Sequence, residues 1–369
     1  MKIPFTDLGP QFREIKGAAN RAFGELVKRG DYILGQDVRD FESSFAGFIG
    51  TKHALGVNSG TDALFLGLLG LGIGPKDEVI VPTYTYIASA FAITYTGATP
   101  VFVDIEEKTF NIDISKIEKA VTSKTRAIMP VHLYGQSADM RPILRIAKKY
   151  GLKVIEDAAQ AHGAEYHGKK VGCIGDIGAF SFYPTKNLGA LGDGGMIVTN
   201  DTRLYEKLKK LRDYGRKSKY EHDSMGYNSR LDAVQAIYLN EKLKRLDKWN
   251  EKRIQAADIY KKLLKGVGGI NLPSEARNNK HIYHVFGIRV KNRDQVLEGL
   301  RNCGIEALVH YPVPLHLQDV YKGLGYKQGD FPVAEQVSRE IISLPIYPHI
   351  KRSQLEYVAK KLKGLVKNG

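Results

Sequence analysis

Ser181-Phe182-Tyr183-Pro184-Thr185-Lys186-Asn187-Leu188-Gly189 runs on into Ala190-Leu191-Gly192-Asp193-Gly194-Gly195, and it sets one lysine just beyond an aromatic β-run. Pro184 before the lysine and glycines after it let the backbone turn tightly and approach a ligand closely. Other lysines sit in polar helical runs, whereas Lys186 follows Phe182 and Tyr183 and meets no acidic neighbour until Asp193. A desolvated lysine has a lowered pKa and can form a Schiff base. Taken alone, an ordinary loop lysine fits the same residues.

Working outward, apolar runs recur: Ala54 to Asn58, Glu78 to Pro82, Thr99 to Asp104, Ala127 to Val131, Lys153 to Asp157, Gly178 to Phe182 and Gly195 to Thr199. Most are separated by helical patterns such as Pro142 to Lys149, and their continuous apolarity suits strands covered on both faces. The expectation is an α/β fold with a mostly parallel sheet of about seven strands. Ligands of such sheets sit beyond the carboxyl ends of the strands, and Ser59, Asp157 and Lys186 all fall there. Ser59-Gly60-Thr61-Asp62 joins a strand to an apolar helix, Ala63 to Leu69, and a helix start of this kind offers N–H groups and a positive dipole end to a phosphate. The turn is equally compatible with Ser59 or Thr61 simply capping the helix. Asp157 precedes the small residues Ala158-Ala159-Gln160-Ala161-His162-Gly163; it reads as a helix N-cap or as a carboxylate aimed at a heterocyclic nitrogen.

At 369 residues the chain is long enough for a large and a smaller domain, and 43% hydrophobic with 26% charged residues is ordinary for a globular protein. No apolar run approaches the roughly 20 residues that span a bilayer, and the first residues carry no secretory pattern. Cys173 and Cys303 are too few for a disulfide framework, so a cytoplasmic setting is expected. The net charge of +15 raises nucleic acid, but the basic runs around Lys207, Lys242 and Lys361 carry leucines at helical spacing and interspersed acids, and read as solvated helix faces. No zinc-finger spacing or RNA-binding signature is present; neither a metal site nor specific nucleic-acid binding is expected. A positive field also attracts a small anion such as a nucleotide diphosphate. After a boundary near 247/248, Ile254 to Leu264 reads as a helix, Tyr283 to Val290 as a strand and Arg293 to Leu300 as a helix. This divides the chain into a large domain, 1–247, that includes an N-terminal arm and a helix, and a smaller α+β domain, 248–369.

A phosphate turn, a carboxylate and a lysine in that order form the minimal constellation for pyridoxal phosphate, whose pyridinium needs an anion to act as an electron sink. The chain resembles the sugar aminotransferases of the DegT/DnrJ/EryC1/StrS family, fold type I pyridoxal phosphate enzymes. The likeness covers nearly its whole length: Pro4 to Leu8, Asn58 to Leu64, Glu156 to Gly163, Ser181-Phe182 with Lys186-Asn187, Gly192 to Gly195 and Gly226 to Asp232. The resemblance implies Lys186 as the Schiff-base lysine, Asp157 at the pyridinium, Gln160 near the phenolic oxygen, Gly60, Thr61 and Ser181 at the phosphate, and Tyr86 stacked on the ring. It implies that Asn228, on its own a loop asparagine, reaches the cofactor phosphate of a neighbouring subunit, making the unit a homodimer with active sites at the interface. Tyr183 and the His310-Tyr311-Pro312 stretch are similar to the branch that aminates dTDP-linked 3-keto-6-deoxy sugars with L-glutamate as donor, and make Tyr183 and His310 candidates for the sugar pocket, although aromatic and proline-rich turns also simply pack. A 4-keto nucleotide sugar is the alternative acceptor, and a regulatory or DNA-binding role the alternative class. The sugar dehydratases that share the fold have histidine in place of the lysine, and Lys186 argues against them.

Overall fold

Continuous apolar strands need cover on both faces, and the chain supplies it by alternating strands with helices. The computed structural model describes residues 1–367. In chain order its elements are α1 (Gly9–Arg29), α2 (Gln36–Ile49), β1 (His53–Val57), α3 (Gly60–Gly70), β2 (Glu78–Pro82), α4 (Ile87–Tyr95), β3 (Thr99–Val103), α5 (Ile114–Ala120), β4 (Thr125–Ile128), α6 (Met140–Tyr150), β5 (Lys153–Asp157), the two-residue strands β6 (Glu165–Tyr166) and β7 (Lys169–Lys170), β8 (Ile177–Ser181) and β9 (Gly195–Thr199). Then come α7 (Thr202–Arg212), α8 (Ala233–Leu243), α9 (Leu246–Leu264), β10 (Asn279–Lys280), β11 (Phe286–Arg289), α10 (Arg293–Asn302), α11 (Pro332–Glu340), β12 (Ile341–Leu344) and α12 (Arg352–Lys367).

The seven-stranded sheet runs β1-β9-β8-β5-β4-β2-β3. The pairs from β8 to β3 are parallel, while β9 lies antiparallel to both β1 and β8. Alternate residues of one strand feed opposite faces. Ile80 packs with Phe41, Phe45, Phe180 and Phe182 on one side, while its neighbours Val79 and Val81 join Leu64, Leu66 and Ile155 on the other. A third cluster gathers Tyr260, Phe286, Leu300, Ile342 and Leu362 around the β11/β12 pair, and Ile3 joins it through a parallel bridge to Ile305. From the last third of the chain, Tyr321, Phe331 and Val337 pack instead on the large sheet.

The expected strands of the large sheet are all present, with the fourth at Thr125–Ile128 rather than Ala127 to Val131. Four expectations need correction. The first fifty residues hold two helices, because Gly30 (φ 73) closes α1 with its N–H on the Leu26 carbonyl. Tyr283 lies at φ 46, a left-handed conformation that a strand cannot contain, so β11 begins only at Phe286. The helix expected from Ile254 already starts at Leu246, its first turns burying Trp249, Asn250 and Arg253. No helix follows Asp157, so it is not an N-cap.

Candidate active site

Beyond the carboxyl ends of β1, β5 and β8 lies a cavity of about 480 Å³, within the ordinary size of a small-molecule site. Gly60, Thr61, Tyr86, Asp157, Gln160, Ser181, Tyr183, Lys186 and His310 all line it. Asn228 does not; it is solvent-exposed on a separate loop, paired with Asp213.

One end is built by the start of α3. Ser59 caps the helix, its Oγ accepting from the Asp62 N–H at 3.0 Å and its carbonyl from the Ala63 N–H at 3.0 Å. The N–H groups of Gly60 and Thr61 are left without an acceptor among the described residues, at the positive end of the helix dipole. A Cβ on Gly60 would stand 2.5 Å from the Ser181 Cβ, so only glycine lets the helix start and the end of β8 close on one point. A helix start left open in this way can receive an anion.

Asp157 ends β5 on the cavity floor, almost fully buried. Its Oδ2 accepts from Ser89 Oγ at 2.7 Å and its Oδ1 from the Ala159 N–H at 3.1 Å. The adjacent Glu156 points to the opposite face and fixes the strand from behind. Its oxygens accept from the Gly172, Ile174 and Gly175 N–H groups at 2.8, 2.7 and 2.7 Å and from His132 Nε2–H at 2.9 Å. Gln160 is held between the Tyr134 N–H, which donates to its Oε1 at 2.8 Å, and the Tyr311 hydroxyl, which accepts from its Nε2 at 2.9 Å. Tyr84 and Tyr134 both donate their hydroxyls to the His310 carbonyl, and burial raises the pKa of each.

Lys186 sits in a loop pinned at several points. The Phe182 N–H donates to the Gly194 carbonyl at 2.7 Å, the Ala190 N–H to the Phe182 carbonyl at 2.8 Å, and the Lys242 ammonium, from α8, to the Gly189 carbonyl. Asn187 Nδ2 donates to Asn250 Oδ1 at 2.8 Å and to the Ile282 carbonyl at 3.3 Å, so its Oδ1 must accept from His284 Nδ1–H at 3.1 Å. Although Lys186 keeps part of its surface open to the cavity, burial lowers its amine to about 8, with the Asp157 carboxylate pulling the other way. That leaves a usable fraction of free amine near neutral pH. Burial, aided by Lys186, lowers His310 to about 4 and His284 well below its ordinary value, so both rings are neutral. Tyr86 and Tyr183, each about half exposed, flank the mouth.

A helix start with unmet N–H groups, an amine able to condense with an aldehyde and a carboxylate able to accept from a ring N–H share one cavity, which suits pyridoxal phosphate. Sequence reasoning missed Ser89, His284, Tyr84, Tyr134 and Tyr311. Tyr311 was within reach, lying beside His310 in a quoted stretch; Ser89 gives no local signal. Among the described residues no group of side chains could hold a metal ion, and no helix is long and apolar enough to cross a membrane.

Several known proteins are similar over nearly the full length. The "Pleiotropic regulatory protein" of Geobacillus stearothermophilus is 47% identical over 364 residues, 98% of each chain. The dTDP-3-amino-3,6-dideoxy-alpha-D-galactopyranose transaminase of Aneurinibacillus thermoaerophilus is 49% identical over 358 residues, 97% of this chain and 98% of that one. The crystal structure of S. venezuelae DesV in complex with a ketimine intermediate superposes with a TM-score of 0.97 at 46% identity, covering 99% of both chains. The model of the DegT/DnrJ/EryC1/StrS aminotransferase family matches residues 13–363. By that match the chain belongs to the DegT/DnrJ/EryC1/StrS aminotransferases, a pyridoxal phosphate family.

Proposed function

We propose that the protein is a cytoplasmic, homodimeric aminotransferase that moves the amino group of L-glutamate to carbon 3 of a dTDP-linked 3-keto-6-deoxyhexose. What carries the reading is the meeting of Lys186, Asp157 and the acceptor-free Gly60 and Thr61 N–H groups in one cavity. The sugar and its nucleotide rest on the likeness to the Aneurinibacillus transaminase. Both cysteines are free, which suits a reducing compartment. Residues 1–247 form the cofactor-binding domain in this reading and 248–369 the smaller one, with the N-terminal arm folded back onto the latter.

When bound, pyridoxal phosphate supplies the electron sink that allows a C–H bond beside nitrogen to break. Gly60, Thr61 and Ser181 would hold its phosphate, Asp157 would accept from its ring N–H, and Gln160 and Tyr86 would complete its site. Lys186 would be the residue that holds the cofactor, and its Nζ, in the same cavity, would take the proton from the donor's α-carbon and give one to the sugar carbon. The lowered basicity of Lys186 fits this shuttling, since an acid–base group works best with a pKa near the operating pH. Tyr183 and the neutral His310 shape the sugar pocket. Asn228, exposed and outside its own chain's cavity, is free to reach a partner's cofactor phosphate.

The test follows the visible absorption of the cofactor-loaded protein. L-glutamate should bleach it, and a dTDP-3-keto-6-deoxyhexose should restore it. Restoration by a 4-keto sugar alone would move the acceptor carbon, and indifference to glutamate would refute the reading. Sedimentation should find a dimer; a fully active monomer would remove Asn228 from the site.

A further inference from the structure

Asp157 is oriented by a partner from a distant part of the chain. Ser89 lies in the first turn of α4, three residues after Tyr86, and its N–H donates to the Tyr86 carbonyl at 3.1 Å. Its hydroxyl donates to Asp157 Oδ2 at 2.7 Å, and Thr85 Oγ1 stands 3.1 Å from the same Ser89 oxygen. A hydroxyl has one proton and a carboxylate only accepts, so the direction is fixed: Thr85 donates to Ser89, and Ser89 donates to Asp157. Ser89, Thr85 and Asp157 are 1%, 3% and 5% exposed, so water scarcely competes for these bonds. Each Asp157 oxygen also keeps an acceptor site beyond the one bond it receives from Ser89 or Ala159.

We propose that Ser89, backed by Thr85, is a positioning residue for transamination: it holds the Asp157 carboxylate in the rotation that leaves an acceptor site facing the cavity. The same helix start presents Tyr86, so one short segment sets both a wall of the cavity and its carboxylate. The inference rests on the function proposed above, and adds to it a residue that acts through the Asp157 carboxylate.

Holoenzyme and cofactor-free protein of wild type, Ser89→Ala, Ser89→Thr and Thr85→Val separate the two. Titration of the cofactor-free proteins with pyridoxal phosphate reads affinity without turnover, and the glutamate half-reaction reads the rate. Ser89→Ala should lose about ten-fold in both, the scale of a buried hydrogen bond to a charged group, while KM for the nucleotide sugar stays at the wild-type value. Ser89→Thr, which keeps the hydroxyl, should recover most of the loss, and Thr85→Val should show a smaller loss of the same kind. Wild-type affinity and half-reaction rate in both Ser89→Ala and Thr85→Val overturn the inference and leave the aminotransferase standing. A wild-type protein that takes up no pyridoxal phosphate overturns both.

Discussion

Replacing Lys242 with methionine should alter how stability depends on pH in a way that isolates one buried charge. Lys242 is 5% exposed and, among the described residues, has no acidic partner and donates only to the Gly189 carbonyl. Burial lowers the amine from its ordinary 10.5 to about 8. Converted at ~1.36 kcal/mol per pH unit, that difference is about 3 kcal/mol lost in keeping the group charged inside the fold. Because the folded amine holds its proton less tightly than the unfolded one, the full cost is present below about pH 8 and vanishes as the pH rises from 8 toward 10.5. Methionine removes this cost but leaves the Gly189 carbonyl without its donor, a loss of roughly 1–3 kcal/mol at every pH. The variant should therefore match wild type or slightly exceed it at pH 7, and fall behind as the solution turns alkaline. Urea unfolding of cofactor-free protein, at one concentration and at pH 7, 8.5 and 10, reads the gap directly, and every other titrating group cancels between the two proteins. The gap should move by at least about 2 kcal/mol against the variant between pH 7 and 10. A gap constant to within about 0.5 kcal/mol would show that Lys242 is not charged at a cost, and the reasoning fails.

Lys186→Ala should abolish repeated turnover while the far-ultraviolet circular dichroism stays native; a variant that still cycles donor and acceptor would remove the lysine from its role. Glu156→Gln should cost roughly 3 kcal/mol in unfolding experiments, because an amide in place of the carboxylate leaves buried N–H donors from the Gly172 to Gly175 loop unmet. Asn228→Ala should weaken the uptake of pyridoxal phosphate by the dimer while the half-exposed Tyr86 and Tyr183 keep their environment, read by fluorescence; unchanged uptake would confine Asn228 to its loop.

The large sheet was legible because strands such as Val79-Ile80-Val81 are apolar on both faces, a pattern that needs no knowledge of the neighbours. Lys186, Asp157 and Ser59 were legible for a related reason, since strand ends in such sheets converge on one crevice. The start of α9 was hidden by its own chemistry: Asn250 and Arg253 are buried polar residues whose partners lie far off in sequence, so the periodic pattern begins late. Ser89 was invisible likewise. It lies 68 residues from the carboxylate it serves, and a serine in the first turn of a helix is unremarked until that partner is in view. On Ser59 the capping reading of the turn holds, since its side chain caps α3, while the next N–H groups find no acceptor among the described residues.

The reversed direction of β9 bears on how such a site can diversify. With β9 antiparallel to β8, the segment from Phe182 to Gly194 is a hairpin that leaves and rejoins the sheet at one end, anchored by the Phe182 N–H on the Gly194 carbonyl. Tyr183 and Thr185 ride on that hairpin with Lys186 and face the same cavity. Reactive group and pocket wall are thus on one short tether. An insertion in the hairpin would leave the sheet register intact, yet any remodelling of the wall to admit a differently shaped sugar would also displace the amine. The loop bearing His310 and Tyr311 lines the cavity from another part of the chain, but it is tied down by Tyr84, Tyr134 and Gln160, so a change of substrate there has to keep those bonds.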